Sequence, residues 1–345
     1  MTYSKMKFLI VRLSSLGDII HSLPLINEIK NNFPDSQIDW LVGKDGYGLL
    51  SLIKEINKIY LPQDILLIQK QNYDYVIDVQ GLFKSAFLSK LSFGKKIVGF
   101  KNSRELSPLF YDLKIDVGNL FITKKHIIHM NLELISSITK KHLSKVKFLI
   151  PQISNIENKN IKEIIVKKNK KSLLFSPGTT WKSKMWPMDY WFNLVSKLSK
   201  DFQVILCGAE GDLKYISELI INLDSSSIDY KNLIGKSSFS ELIYLIQNVD
   251  LVLGMDSFAL HMASAIKNDF GFPGVVGIYG PTSPLRTGPY NCINNCLFLS
   301  EMECIACRKK ECPLMHNNCM KNITPDEVAE MIHSTLKNNP YANKI

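Results

Sequence analysis

The chain has 345 residues, 46% apolar and 21% charged; this is a globular composition with room for two domains of ordinary size, and it excludes a collagenous or disordered chain. A formal charge of +10 and a pI of about 9.1 suit a polyanionic partner such as a nucleic acid, a phosphorylated lipid surface or a sugar nucleotide. No stretch reaches ~18 uncharged apolar residues, and the apolar run after Lys7 is too short for a secretory signal, so the sequence predicts a cytosolic chain with at most peripheral membrane contact.

Residues 7–13 read as a buried strand, a short apolar run stopped by the turn Ser14-Ser15-Leu16-Gly17. Helical spacing follows over 18–33, where Ile19, Ile20, Leu23, Ile26 and Ile29 form one stripe. Further strands are predicted at 37–42 and 75–79, with helical patterns between and after them, and this alternation argues for a parallel sheet covered on both faces. From 153 to 171 the chain turns polar and lysine-rich, with Asn155, Asn158 and Asn160 breaking any long core pattern, and reads as a linker with some helix; its lysine run 167–171 reads as solvated surface. A second array then runs through strands at 172–176, 203–207, 232–234, 251–253 and 275–279, interleaved with helices at 190–198, 213–223 and 241–247 and with one opening after Asp256-Ser257. Two such arrays predict two Rossmann-like domains facing across a cleft, 1–165 and 166–324, the second carrying a cysteine-rich segment at 292–319. A final helix within 325–345 is expected to pack back on the first domain.

Chemistry is expected where strands end. In Ser14-Ser15-Leu16-Gly17-Asp18-Ile19-Ile20-His21, Gly17 permits a tight turn, while Asp18 and His21 share one helix face. A carboxylate there is a candidate general base for a hydroxyl nucleophile, against the alternative of an N-cap aspartate. The stretch from Ser176-Pro177-Gly178-Thr179-Thr180 to Lys184-Met185-Trp186-Pro187 offers a glycine turn, two hydroxyls and an ammonium, which a diphosphate needs; Trp186-Pro187 is expected to fix the turn. In Cys207-Gly208-Ala209-Glu210-Gly211-Asp212, Glu210 is a candidate acceptor of nucleotide or sugar hydroxyl protons and Asp212 a helix-start residue. Asp256-Ser257 opens a helix whose free N–H groups face an anion, with His261 one turn on. No Gly-x-Gly-x-x-Gly fingerprint or P-loop occurs, which disfavours a dehydrogenase or a P-loop ATPase. No Asp-x-Asp occurs either, so Lys184, hydroxyls and helix N-termini are expected to carry a leaving group's charge without a metal or other cofactor. Cys304-x2-Cys307-x4-Cys312-x6-Cys319 matches no standard metal template well, and both a structural metal site and reduced or oxidisable thiols stay open.

These motifs resemble the lipopolysaccharide heptosyltransferases of glycosyltransferase family nine. The likeness is carried by residues 14–24, by Asp78-Val79-Gln80-Gly81-Leu82-Phe83-Lys84-Ser85-Ala86, by Ser103-Arg104-Glu105 with Phe110-Tyr111, by Thr179-Thr180 with Lys184 and Trp186-Pro187, and by Asp256-Ser257 with His261 and Tyr279-Gly280-Pro281-Thr282. The resemblance implies a GT-B fold and an inverting, metal-independent transfer of heptose from ADP-heptose to the Kdo region of lipid A, in lipopolysaccharide or lipooligosaccharide inner-core synthesis at the cytoplasmic face of the inner membrane. It implies Asp18 as catalytic base; Thr179, Thr180 and Lys184 on the diphosphate; Glu210, Asp256 and Ser257 on the adenosine and sugar side; and His261 as a buttress or phosphate contact. For the acceptor it implies Ser15, Gly17, His21, Gln80, Lys84 and Arg104. Segments 80–86 and 104 most resemble members that add the first heptose. Two departures stand out: Phe258 where many relatives have glycine, and the cysteine-rich stretch, absent from the best-known first-heptose enzymes. A second-heptose enzyme or a different donor sugar is the nearest alternative. A basic nucleic-acid-binding protein with a zinc module is the alternative of another class, and it is disfavoured because clustered arginines with interleaved aromatics are missing.

Overall fold

The computed structural model describes residues 5–120, 124–166 and 170–338; residues 167–169 of the lysine run and 339–345 of the C-terminal segment lie outside them. The chain divides into two compact units between Pro151 and Gln152. In the first, strands β1 (Lys7–Val11), β2 (Gln37–Leu41), β3 (Lys58–Tyr60), β4 (Tyr75–Asp78), β5 (Lys96–Phe100) and β6 (Leu113–Ile115) pair in the order β3-β2-β1-β4-β5-β6, all in parallel. Helices α1 (Leu16–Ser22), α2 (Pro24–Asn32), α3 (Lys44–Leu50), α4 (Ile65–Gln69), α5 (Phe83–Leu91) and α6 (Ile127–Thr139) connect and cover them. Phe8, Leu9, Ile10 and Val11 of β1 are wholly buried, as a near-continuous apolar run requires in a strand covered on both faces.

The helix predicted over 18–33 is two helices. Pro24 has no N–H to continue the first and its fixed φ suits the opening turn of the second, so the ladder breaks there while the apolar stripe runs on.

The second unit contains α7 (Lys159–Val166), β7 (Ser172–Ser176), α8 (Met188–Leu198), β8 (Gln203–Leu206), α9 (Leu213–Asp224), β9 (Tyr230–Asn232), α10 (Phe239–Asn248), β10 (Leu251–Met255), α11 (Phe258–Phe270), β11 (Gly274–Ile278), α12 (Pro284–Thr287), β12 (Cys296–Leu297), α13 (Asn318–Lys321) and α14 (Pro325–Lys337). Its parallel sheet has the order β12-β11-β10-β7-β8-β9. Counted from each unit's own first strand, both sheets are wound 3-2-1-4-5-6. The strand order therefore reverses at β1/β4 in one unit and at β7/β10 in the other, the points where open α/β sheets leave a crevice beyond their carboxyl ends.

Two expectations about boundaries differ from the structure. The units part well before 165/166, because α7 is more than linker: it buries Ile161, Ile164 and Ile165 and packs on α10, and the Ile153 N–H donates to Gln247 Oε1 at 3.0 Å. The apolar face of α14, with Val328, Ala329, Ile332 and Leu336, joins the core of the second unit against α8 and β11 rather than serving the first domain. Among the described residues no helix is long and apolar enough to cross a membrane.

Candidate active site

In the first unit Ser15, Gly17, Asp18, His21 and Gln80 stand on the segments that follow β1 and β4, the two strands of the switch point, while Lys84 lies on α5 and Arg104 follows β5. Ser15 caps α1 with Asp18 in the third position, and the half-buried Asp18 carboxylate accepts from the Ser15 N–H at 3.2 Å and hydroxyl at 3.0 Å. Arg12, just past the end of β1, sets its Nη2 2.6 Å from Asp18 Oδ2 and donates through Nη1 to the Val79 carbonyl at 2.7 Å, so one guanidinium joins the base candidate to the β4 loop. Burial pushes the Asp18 carboxyl up, but the charges of Arg12 and His21 and the Ser15 hydrogen bonds more than offset it and hold Asp18 far below the usual carboxylate range. A carboxylate so held stays ionised at working pH, and it is weakly basic for as long as the ion pair is intact.

His21 is buried on α1, its ring edge-on to His126 at 5.7 Å, and its carbonyl accepts from Asn131 Nδ2 at 3.1 Å, which packs α1 on α6. Gln80 Oε1 accepts from the Leu13 N–H at 2.7 Å, a second tie between the β1 and β4 loops. Gly17 is half-buried in the first turn of α1; Lys84 on α5 and Arg104 are exposed.

Asp78, wholly buried at the end of β4, pins this region. Its Oδ1 accepts from the N–H groups of Gln80 (2.9 Å) and Gly81 (3.2 Å), and its Oδ2 from the hydroxyls of Ser85 (2.9 Å) and Tyr111 (2.8 Å). Burial raises its pKa, with those four donors pulling the other way. Gly81 is required where it stands: its φ is +68°, and a Cβ there would lie 2.9 Å from Ser103 Cβ. Its carbonyl accepts from the Arg104 N–H at 3.1 Å, which fixes the start of the 103–107 turn.

In the second unit three predicted residues meet at the β7/β10 switch point. Lys184 Nζ lies 2.7 Å from Asp256 Oδ2 and donates to the Asp256 carbonyl at 3.3 Å; His261 Nε2 stands 2.8 Å from Asp256 Oδ1. All three side chains are largely covered, and the Lys184 ammonium also sits 4.5 Å above the Trp181 ring. Burial would raise the Asp256 pKa; Lys184 and His261 overcome it and keep the carboxylate ionised far below its ordinary range. Lys184 and His261 thus both engage the Asp256 carboxylate, one at each oxygen.

Next in sequence, Ser257 caps the N-terminus of α11 and its buried Oγ has no hydrogen-bond partner; Thr282 Oγ1, in the loop after β11, has none either. An unspent hydroxyl at the open N–H groups of α11, next in sequence to the carboxylate that holds Lys184, is a candidate anion cradle. Thr179 is buried in the loop after β7 while Thr180 is exposed. Gly178 is dictated by close approach, since a Cβ would meet the Asp212 carboxyl carbon at 2.4 Å. Asp212 accepts from the Ala209 N–H at 2.9 Å as the expected helix-start residue, whereas Glu210 is exposed in the turn after β8 and bonded to none of the cluster. Phe258 packs edge-on to Phe239 of α10, centroids 5.4 Å apart. Trp186 is buried and donates to the Ile323 carbonyl at 2.8 Å, fixing the turn as expected.

The cysteine-rich segment is fastened to these same loops. Ser183 donates through its N–H to Lys310 O (3.1 Å) and through Oγ to Lys309 O (2.5 Å), while Ala306 and Arg308 N–H groups donate to Gly280 O (3.0 Å) and Pro281 O (2.7 Å). Cys304, Cys307, Cys312 and Cys319 line one pocket with Ser183 and Pro281. Backbone N–H groups, that of Asn317 foremost, hold the Cys312 thiol below its ordinary range. Among the described residues, however, no three or more His, Cys, Asp or Glu side chains are arranged to hold a metal ion. Sequence reasoning missed Arg12, the anchoring role of Asp78 within its motif, and this fastening; for Arg12 the available signal is an arginine closing an apolar strand at the ligand-bearing edge.

Two doubly wound sheets, one with a lysine-centred anion cradle and the other with an ionised aspartate at its switch point, form the architecture of a glycosyltransferase. The chain belongs to glycosyltransferase family 9 (heptosyltransferase), whose family model matches residues 67–317. It is similar to lipooligosaccharide heptosyltransferase 2 of Campylobacter jejuni, 26% identical over 94% of this chain and 96% of that one. It is also similar to lipopolysaccharide heptosyltransferase 1 of Campylobacter coli, 29% identical over 81% and 86%. The solved structure of E. coli heptosyltransferase WaaC with ADP superposes with a TM-score of 0.71 and 22% identity, covering 96% of this chain and 100% of that one, and shares its GT-B fold.

Proposed function

We propose that this enzyme transfers heptose from ADP-heptose to the Kdo region of lipid A during inner-core assembly of lipopolysaccharide or lipooligosaccharide, working peripherally at the cytoplasmic face of the inner membrane and engaging no nucleic acid. The observation that carries the reading is the second-unit site: Lys184 held by Asp256, with the unpartnered Ser257 hydroxyl at the α11 N-terminus next in sequence, in a chain of a heptosyltransferase family. Lys184 and Ser257, with Thr179 and Thr180, take the diphosphate, and Glu210 takes hydroxyls of the nucleoside or sugar. Asp256 and His261 hold Lys184 in place. In the first unit Asp18 removes the proton of the acceptor hydroxyl as its oxygen bonds to the anomeric carbon. The bond from that carbon to the diphosphate breaks in the same step, and ADP leaves with inversion. Ser15, Gly17, His21, Gln80, Lys84 and Arg104 shape the acceptor side.

The test is ADP release and acceptor mass gain with purified enzyme, ADP-heptose and excess EDTA, using Kdo-lipid A and its mono-heptosylated form as separate acceptors. Turnover with the first assigns the first heptose. Turnover only with the second moves the enzyme one step later. Inactivity on both, or strict need for Mg²⁺, refutes the proposal.

A further inference from the structure

One corner of the first unit carries apolar surface that its own core does not cover. Phe83 and Phe87 stack along α5 with ring centroids 6.1 Å apart, and Phe110 meets both edge-on at 5.5 and 6.2 Å. On the adjoining turn Leu106 is 70% exposed and Leu109 73%. Leu66 and Leu67 of α4 and Phe93 just past α5 are exposed as well, so the large exposed apolar side chains of this unit concentrate between positions 66 and 109 instead of scattering singly.

The corner is built, not loose. Glu105 and Leu106 both hold left-handed φ angles (+56° and +60°), a costly conformation for a leucine, and the Glu105 carboxylate accepts from the Phe83 N–H at 3.2 Å. The Ser107 N–H and hydroxyl both donate to the Arg104 carbonyl, at 3.0 and 2.6 Å, closing the turn that turns Leu106 outward. Exposed cations border the apolar residues: Lys84 and Lys90 on α5 itself, Lys96 at the start of β5, and Arg104 next to the leucine turn. Glu105, the acidic member of that border, is engaged in the α5 cap.

Aromatic and leucine side chains with basic residues interleaved fit a surface that is apolar inside and anionic outside. We infer that this corner docks the enzyme on an anionic lipid bilayer, with Phe83, Phe87, Leu106 and Leu109 entering the acyl boundary and Lys90 and Lys96 meeting headgroup phosphates. Because α5 starts three residues after Gln80, a chain docked here presents the β4 loop to the membrane side. The inference rests on the proposed function only for its placement at a membrane. Binding is measured without donor or acceptor, so its failure leaves the transfer reading standing.

The experiment is co-sedimentation of the full chain with vesicles of phosphatidylethanolamine and phosphatidylglycerol, against phosphatidylcholine alone. Wild type is expected to bind the anionic vesicles and not the neutral ones. Phe87→Ser with Leu109→Ser lowers the partition coefficient by about tenfold or more, and Lys90→Glu with Lys96→Glu by a similar factor, with unchanged circular dichroism. Met315→Ser, at an exposed apolar residue of the second unit, binds like wild type. Absence of wild-type binding, or equal binding by Phe87→Ser/Leu109→Ser, overturns the inference. So does concentration-dependent dimerisation that the same double variant abolishes, which would assign the face to a second copy of the chain.

Discussion

Replacing Asp256 by Asn removes one charge from the centre of the second-unit site while keeping the side chain's size. The Lys184 ammonium and the His261 ring then lose their shared carboxylate in a place where their side chains are only 14% and 5% exposed. Stranding one partner of a buried pair costs about 3–5 kcal/mol, and the lower end applies because the amide oxygen still accepts one bond. For a unit of this size each kcal/mol moves the midpoint by roughly 2–4 °C, so the second unit should melt roughly 6–12 °C earlier at neutral pH. Differential scanning calorimetry resolves that loss. The pH dependence supplies a sharper check. Asp256 has a depressed folded-state pKa, since Lys184 and His261 outweigh its burial, so its contribution is fully present above the unfolded value of ~3.9 and disappears as pH falls through the folded one. The gap between variant and wild type should hold from about pH 8 to about pH 5 and narrow only below ~4. A loss under about 2 °C, or a gap that closes between about pH 8 and 6, would refute the assignment of the charge to this cluster.

Asp18→Ala should lower transfer about 10²–10⁴-fold while ADP affinity by calorimetry stays within about twofold, because the residues proposed for the two roles lie in different units; loss of ADP binding would contradict that division. Arg12→Met removes the cation beside Asp18, so the Asp18 pKa rises and the acid limb of the kcat/KM profile, set by protonation of the base, shifts to higher pH; an unmoved limb means Asp18 does not titrate in the rate. Tyr111→Phe leaves the buried Asp78 carboxylate one donor short and should cost about 1–3 kcal/mol in urea unfolding, against near-neutrality if that bond at 2.8 Å is dispensable.

Local pattern carried much of this fold, because strand and helix periods differ and each strand end is marked by turn residues. The β1, β7 and β10 strands and their loops were readable for that reason, and these loops hold Asp18, Lys184 and Asp256. What pattern alone does not convey is pairing across distance. Lys184 and Asp256 are 72 positions apart and meet only because β7 and β10 are neighbours. Arg12 was absorbed into an apolar run, and its reach to Asp18 and Val79 depends on where the strand stops. The break at Pro24 was hidden because the apolar stripe continues through it. The 153–171 stretch reads as linker with some helix because the isoleucines of α7 find their partners on α10, far along the chain. The cysteine spacing leaves a metal site and free thiols both open and says nothing of the backbone carbonyls at 309–310 and N–H groups at 306 and 308 that clasp the Ser183 and Gly280-Pro281 loops.

The shared 3-2-1-4-5-6 winding of the two sheets has an evolutionary corollary. Each half keeps its chemistry on loops that its own strand order exposes, so sequence drift in one crevice need not disturb the scaffold of the other. On the proposed division of roles, changes of acceptor specificity fall in residues 1–151 and leave the groups proposed for the departing diphosphate untouched, so chimaeras joined at the 151/152 seam are the natural way to exchange the two specificities.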